Sequence, residues 1–255
     1  MNGNILISIE GNIGSGKSTL LNELKNRYGS NNPLFVFVDE PVDEWEKIQD
    51  ENGKSIIENF YSNTKKFSFP FQILAYITRL TALKHAIETH TNKFIVCERS
   101  LYTDQLVFAK MLFDAKDMEL IPYKIYMEWV ATFSIIKAER VVYVNASPSV
   151  CHARVLERNR RGENIQLEYL QSCGKYHDEM IEQISSGCKI LHLDGNMNIN
   201  EMKKTKSWDN RIMDVVLFIT FPSRPPSLFS ESWGCIGVLV NYLYKRIYEY
   251  YHVKK

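Results

Sequence analysis

Apolar residues in this chain fall into two kinds of segment that alternate along its length. Short, nearly continuous apolar runs occupy residues 5–9, 34–39, 94–97, 140–144 and 189–193. Runs of that length without polar alternation predict strands covered on both faces. Between them lie longer stretches of helical character, over residues 43–63, 69–89, 102–113, 123–138, 149–158 and 167–184. Pro70 suits the first turn of the second of these, where a missing N–H costs little. Alternating strands and helices predict an α/β fold with a five-stranded parallel sheet covered by helices. Past residue 200 the alternation stops. Residues 221–227 read as a loop or linker, and the aromatic stretch 238–251 suits a helix. The expected division is a domain over residues 1–200 and a C-terminal extension of unknown role over 201–255, so that a chain cut near Ser207 keeps its activity.

The loop after the first strand carries chemistry by itself. It reads Gly11-Asn12-Ile13-Gly14-Ser15-Gly16-Lys17-Ser18-Thr19 and leads into good helix sequence. Strand, glycine loop and helix form the context that a phosphate-binding P-loop requires. The glycines allow backbone N–H groups to turn inward, and the following helix adds the positive end of its dipole. Lys17 is expected to reach the β- and γ-phosphates of a nucleoside triphosphate, and the Ser18 hydroxyl to hold Mg²⁺. In an open parallel sheet, ligands bind at the carboxyl ends of the strands. Glu40 follows the second strand and Glu98-Arg99 the third, so these charges belong on the phosphate edge.

Composition narrows the partners. The 255 residues carry a formal charge of +1, which gives no basic field for nucleic acid. No apolar run is long enough to span a bilayer. The first strand begins almost at Met1, which leaves no room for a signal or transit peptide. Five irregularly spaced cysteines suggest a reduced, intracellular protein, and a cytoplasmic location is expected. Cys151, His152, Cys173 and His177 invite a zinc reading, but their spacing matches no usual finger.

Four further segments resemble one family. Glu40-Pro41-Val42-Asp43-Glu44-Trp45 looks like the E-P-V-x-x-W segment of the deoxynucleoside kinases. Phe69-Pro70-Phe71-Gln72 is similar to their aromatic-x-F-Q segment, and Glu98-Arg99-Ser100-Leu101-Tyr102-Thr103-Asp104 resembles their E-R-S-x-Y-x-D. Arg154, Arg158 and Arg160, with Leu167-Glu168-Tyr169-Leu170 beyond, look like their arginine-rich lid and the L-E-Y-L that follows. The order agrees from about residue 5 to 194, and the deoxycytidine and deoxyguanosine kinases look nearest. The resemblance implies a P-loop kinase fold, with residues 1–200 as the kinase domain. It implies transfer of the γ-phosphoryl of ATP, or another nucleoside triphosphate, to the 5′-hydroxyl of a deoxynucleoside.

The same resemblance assigns roles. Glu40 is the base that takes the hydroxyl proton, Arg99 keeps it ionised, and Glu98 joins Ser18 on the Mg²⁺ side. Arg154, Arg158 and Arg160 clamp the phosphates. Tyr61 and Glu163 bind the sugar 3′-hydroxyl, Gln72 pairs with the base edge, and Phe108 stacks on its face. Val42, Trp45, Phe71 and Ala75 wall the pocket. Arg79 and Asp104 are expected to pair as a polar wall that favours cytosine or a purine over thymine; relatives that accept thymidine carry larger apolar or neutral side chains there. Phe60 stands where a methionine is expected, and the segment after Arg160 is one residue short. A homodimer and feedback inhibition by a deoxynucleoside triphosphate are implied on the same grounds. The nearest rival is a nucleoside monophosphate kinase, but such enzymes carry an Asp-Arg-Tyr-like motif where this chain has Glu98-Arg99-Ser100. Intact Lys17, Ser18, Glu40 and Arg99 argue against a nucleotide-binding subunit without catalysis.

Overall fold

In the computed structural model, which describes residues 3–29, 32–133, 136–160 and 162–221, five strands form one parallel sheet. They are β1 (Ile5–Glu10), β2 (Phe35–Val38), β3 (Phe94–Glu98), β4 (Arg140–Asn145) and β5 (Lys189–Asp194), in spatial order β2-β3-β1-β4-β5. β1 is central and pairs Ile7 with Val96 on one side and with Arg140 on the other. The strand order reverses at β1, so a crevice opens at its carboxyl end, where the glycine loop leaves the sheet.

The runs are apolar without alternation because both faces are covered. Leu6, Ile95, Cys97, Val141 and Tyr143 point to one face and pack with α4 (Thr64–Thr89), α6 (Leu120–Phe133) and α8 (Leu167–Ile184). Ile7, Ile9, Val96, Val142 and Val144 point to the other, against α1 (Lys17–Tyr28). The helix expected over 43–63 is two helices, α2 (Val42–Lys47) and α3 (Ile56–Ser62). Asp50 breaks it: its carboxylate accepts the backbone N–H groups of Asn52 and Lys54 and closes a turn through Gly53. Ser55 and Glu58 then form a capping box that starts α3. Pro70 lies inside α4, not in its first turn, because Asn63 caps the helix earlier. The segment after β3 opens as a π-helical stretch, Thr103–Ala109, before α5 (Lys110–Asp114). α7 (Pro148–Arg158) follows β4.

The chain after residue 200 packs differently from the expected division. α9 (Ile199–Lys204) and α10 (Ser207–Thr220) close the second face of the sheet. Trp208, Ile212, Val215, Val216 and Ile219 are buried in the same apolar cluster as Ile7 and Leu21. Burying such side chains is worth roughly 1.5–3 kcal/mol each, so five together rival the roughly 5–15 kcal/mol that holds a domain folded. Truncation near Ser207 is therefore expected to give an insoluble or unfolded chain, not an active one. Solubility and a thermal melt of residues 1–206 check this, and a soluble, cooperatively melting product would contradict it. The 222–227 part of the expected linker and the aromatic stretch 238–251 lie outside the described residues.

Candidate active site

The loop at the end of β1 wraps the first turn of α1. A Cβ on Gly11 would meet the Val144 carbonyl at 2.3 Å, so only glycine fits there. Gly16 caps the helix at φ +105°, and the space in front of it is open, as a phosphate cradle requires. Lys17 is buried and donates to the Asn12 carbonyl at 2.7 Å. Burial, and then the nearby charge of Arg99, push its pKa down to about 8. Glu98 and Glu40 offset this only in part, so an anion at the cradle would favour the charged ammonium further.

A cavity of about 710 Å³ runs from this loop to α3 and α4. It brings together most of the residues singled out from the sequence. Ile13, Gly14, Gly16, Lys17, Ser18 and Thr19 form one end, with Arg154, Arg158 and Arg160 above. Val42, Trp45, Tyr61, Phe71, Gln72, Ala75, Phe108 and Glu163 form the other, and Glu40, Arg79, Glu98, Arg99 and Asp104 lie between. Gly11, Asn12 and Ser15 belong to the loop but do not line the cavity. The Gly11 carbonyl accepts from Arg99, and Asn12 donates to the Leu170 carbonyl at 2.8 Å, tying the loop to α8.

The centre is a charge network. Glu40 Oε1 lies 3.0 Å from Arg79 Nη2 and 3.2 Å from Arg99 Nε. Arg79 also donates through Nε to Asp104 at 2.8 Å and through Nη1 to the Glu98 carbonyl at 2.9 Å. Burial works against the Arg79 charge, yet Asp104 and Glu40 hold its pKa above the ordinary arginine value. Burial also pushes the Glu40 carboxyl up, but Arg99, Arg79 and Lys17 outweigh it and hold the pKa below the usual carboxylate range. Glu98 moves the other way: burial and the Glu40 charge raise it. Its carboxylate accepts from the Ser18 hydroxyl at 2.7 Å, so two hard oxygens flank the cradle.

At the far end, Gln72 is 2% exposed and its carboxamide oxygen has no partner among the described residues. A buried orphan acceptor lining a cavity calls for a donor from a ligand. Trp45 donates to the Thr78 hydroxyl and meets Phe71 edge-on at 5.4 Å, which fixes the apolar wall. Phe60 is buried against Phe71 at 4.9 Å and forms part of the floor. Burial and then the Glu163 charge raise the Tyr61 hydroxyl, so Tyr61 and Glu163 share this corner. Glu163, however, accepts from Arg158 Nη2 through both carboxylate oxygens, at 2.6 Å. Arg154 donates to the carbonyls of Ser15 and Gly195 at 3.2 and 2.8 Å, so here it braces the loop.

Two buried groups beside Arg99 are not placed in the site by the sequence: Glu10 goes unnoticed there, and His177 enters only as a candidate zinc ligand. Glu10 closes β1 and accepts from the Ser100 N–H at 2.8 Å and from the Thr103 hydroxyl, which fixes the turn after β3. Its signal is a charge inside an otherwise apolar strand. His177 lies on α8 with Nε2 3.1 Å from Arg99 Nη1. It is not part of a metal cluster: no group of three or more His, Cys, Asp or Glu able to hold an ion occurs among the described residues. The four described cysteines are free thiols, and no helix among the described residues is long and apolar enough to cross a membrane.

Known proteins match this sequence along most of the chain. The deoxynucleoside kinase family model matches residues 7–218, which includes α10. A probable deoxycytidine kinase of Fowlpox virus (strain NVSL) is 33% identical over 181 residues, covering 69% of this chain and 72% of its own. Deoxycytidine kinase 1 of Xenopus laevis is 30% identical over 228 residues, covering 78% and 84%. The mitochondrial deoxyguanosine kinase of Xenopus laevis is 29% identical over 194 residues, covering 68% and 70%. With a parallel sheet in the order β2-β3-β1-β4-β5, a P-loop at its switch point and this family match, the chain belongs to the deoxynucleoside kinase family and is a nucleoside kinase.

Proposed function

We propose that the enzyme transfers the γ-phosphoryl of ATP, or of another nucleoside triphosphate, to the 5′-hydroxyl of deoxycytidine or a purine deoxynucleoside, in nucleotide salvage. The observation that carries this is Glu40, a carboxylate kept ionised by Arg79 and Arg99 in the same cavity as the cradle and the unpartnered Gln72. A sugar hydroxyl is a weak nucleophile and needs a positioned base. Glu40 takes its proton, and Arg99 orients the hydroxyl. Phosphoryl transfer otherwise depends on placement and charge neutralisation. Lys17 and the loop N–H groups hold the β- and γ-phosphates, and Arg158 and Arg160 close over them. Arg154 joins them by exchanging its carbonyl partners for phosphate. Ser18 and Glu98 supply oxygens that fit Mg²⁺, which when bound neutralises phosphate charge.

Acceptor choice follows from the polar wall. Arg79 and Asp104 are paired and almost fully buried beside Gln72 and Ala75. They bond the exocyclic amine of cytosine or the polar edge of a purine, while a thymine methyl against them desolvates the pair without return. Gln72 completes the base edge, Phe108 stacks on the ring, and Tyr61 with Glu163 takes the 3′-hydroxyl once Arg158 swings to phosphate. Thymidine is expected to be the poorest of the four deoxynucleosides by kcat/KM, and Arg79→Met with Asp104→Ala to raise thymidine relative to deoxycytidine. Steady-state kinetics over the four acceptors test this. Thymidine as the best acceptor of the unaltered enzyme would refute it.

A homodimer and a cytoplasmic location complete the proposal. Ile121, Ile125, Trp129 and Phe133 recur every four residues on α6 and are 38–71% exposed, a stripe that a second copy would bury. Trp129→Glu is expected to convert a dimer to a monomer in light scattering, and a monomeric unaltered enzyme would contradict it. The free thiols fit a reducing compartment.

A further inference from the structure

Arg99 is held by more than the site requires. Its backbone is left-handed, at φ +64°, a conformation that side chains other than glycine rarely adopt. The backbone N–H donates to the Ile9 carbonyl at 3.0 Å, and Glu10 grips the next residue from the same strand. The guanidinium faces Glu40 through Nε, while Nη1 faces the Gly11 carbonyl at 3.0 Å and His177 Nε2 at 3.1 Å. Phe108 lies under it at 5.0 Å. A guanidinium carries donors only, so the contact to His177 requires a lone pair on Nε2.

The other ring nitrogen settles the tautomer. His177 Nδ1 is 2.7 Å from the Cys173 carbonyl, one turn back on α8, and a carbonyl accepts only from an N–H. Nδ1 therefore carries the hydrogen and Nε2 is bare. The ring is fully buried, and burial and then the Arg99 charge push its pKa well below the ordinary histidine value. A protonated ring would turn N–H against N–H.

We propose that His177 is a positioning residue for phosphoryl transfer: as a neutral acceptor on α8 it fixes the Nη1 side of Arg99, so that the Nε side is aimed at Glu40. The proposal rests on Glu40 being the base. It links α8, which also anchors the P-loop through the Leu170 carbonyl, to the reacting carboxylate.

Three variants and one measurement on the unaltered enzyme test it. His177→Asn keeps a donor toward the Cys173 carbonyl but is too short to reach Arg99. His177→Gln carries an acceptor that reaches as far as Nε2. The Asn variant is expected to lose about tenfold or more in kcat, with KM for the deoxynucleoside changed less than about threefold, since misplacement by an ångström can cost about 10²-fold. The Gln variant is expected to recover most of the rate. Equal losses in both variants, or none in the Asn variant, overturn the proposal. Glu40→Gln runs beside them. If it is inactive while His177→Asn turns over normally, only the His177 role falls; if it is fully active, the base assignment falls and the proposal with it. Should neither His177 variant fold, ¹⁵N-edited NMR of the unaltered enzyme decides: a neutral ring with hydrogen on Nδ1 from pH 6 to 8 supports the proposal, and hydrogen on Nε2 overturns it.

Discussion

Lys17→Ala is expected to leave a folded protein whose turnover is lower by roughly 10³-fold or more. Lys17 is buried at the start of α1, and its ammonium is held at the Asn12 carbonyl, inside the loop it serves. Alanine keeps the helix and removes a charge that burial already disfavours, so stability changes little. What is lost is the one P-loop cation next to the β- and γ-phosphates, at the point where charge develops in the transition state. Far-ultraviolet circular dichroism and a thermal melt establish folding, and kcat with saturating triphosphate gives the effect. A folded variant of near-normal rate would remove the P-loop from the mechanism.

Glu40→Gln is expected to lower kcat by roughly 10²–10⁴-fold, the scale of general base catalysis, with a smaller change in KM for the acceptor. The amide keeps the shape but cannot take a proton, and it leaves Arg79 and Arg99 facing a neutral group. Asp104 still balances Arg79, so the fold survives with a lowered melting temperature. The same network sets a pH dependence. The folded pKa of Glu40 is depressed, so the base stays ionised at neutral pH and turnover falls only as pH drops through that depressed value. Arg79 lowers Glu40 both by its charge and by a hydrogen bond, which outweighs the opposing repulsion from Asp104, so removing the pair weakens the depression. The Arg79→Met, Asp104→Ala variant should therefore lose activity at a higher pH on the acid side than the unaltered enzyme. A pH profile of kcat for both proteins checks the sign.

The parts of the fold visible in the sequence are those that rest on local pattern. The five apolar runs become β1 to β5 because both sheet faces are covered, and the glycine loop declares itself by residue type alone. The motif order also places Glu40, Arg99, Gln72 and Asp104 around one cavity. What escapes is set by side chains meeting across distant elements. Periodicity does not reveal that Asp50 turns the chain between α2 and α3, since the turn depends on two backbone N–H groups that its carboxylate captures. α10 looks detached because the strand–helix alternation in the sequence stops at about residue 200, yet Trp208 and Ile212 are buried against the sheet face that carries α1. Arg79 was expected to meet Asp104, and its second bond to Glu40 depends on α4 passing both β2 and β3. Arg154 meets the Ser15 and Gly195 carbonyls from far along the chain, a contact that no local pattern shows.

The central claim is phosphoryl transfer from a nucleoside triphosphate to a deoxynucleoside hydroxyl at this cavity. The most direct measurement offers the purified chain γ-labelled ATP with Mg²⁺ and, separately, each of the four deoxynucleosides and each of their 5′-monophosphates, and identifies the labelled product. The expected result is label on the 5′-oxygen of deoxycytidine or a purine deoxynucleoside, lost in Glu40→Gln, with no label passed to any monophosphate. Label transferred to monophosphates but not to nucleosides, or transfer undiminished in Glu40→Gln, would contradict the account.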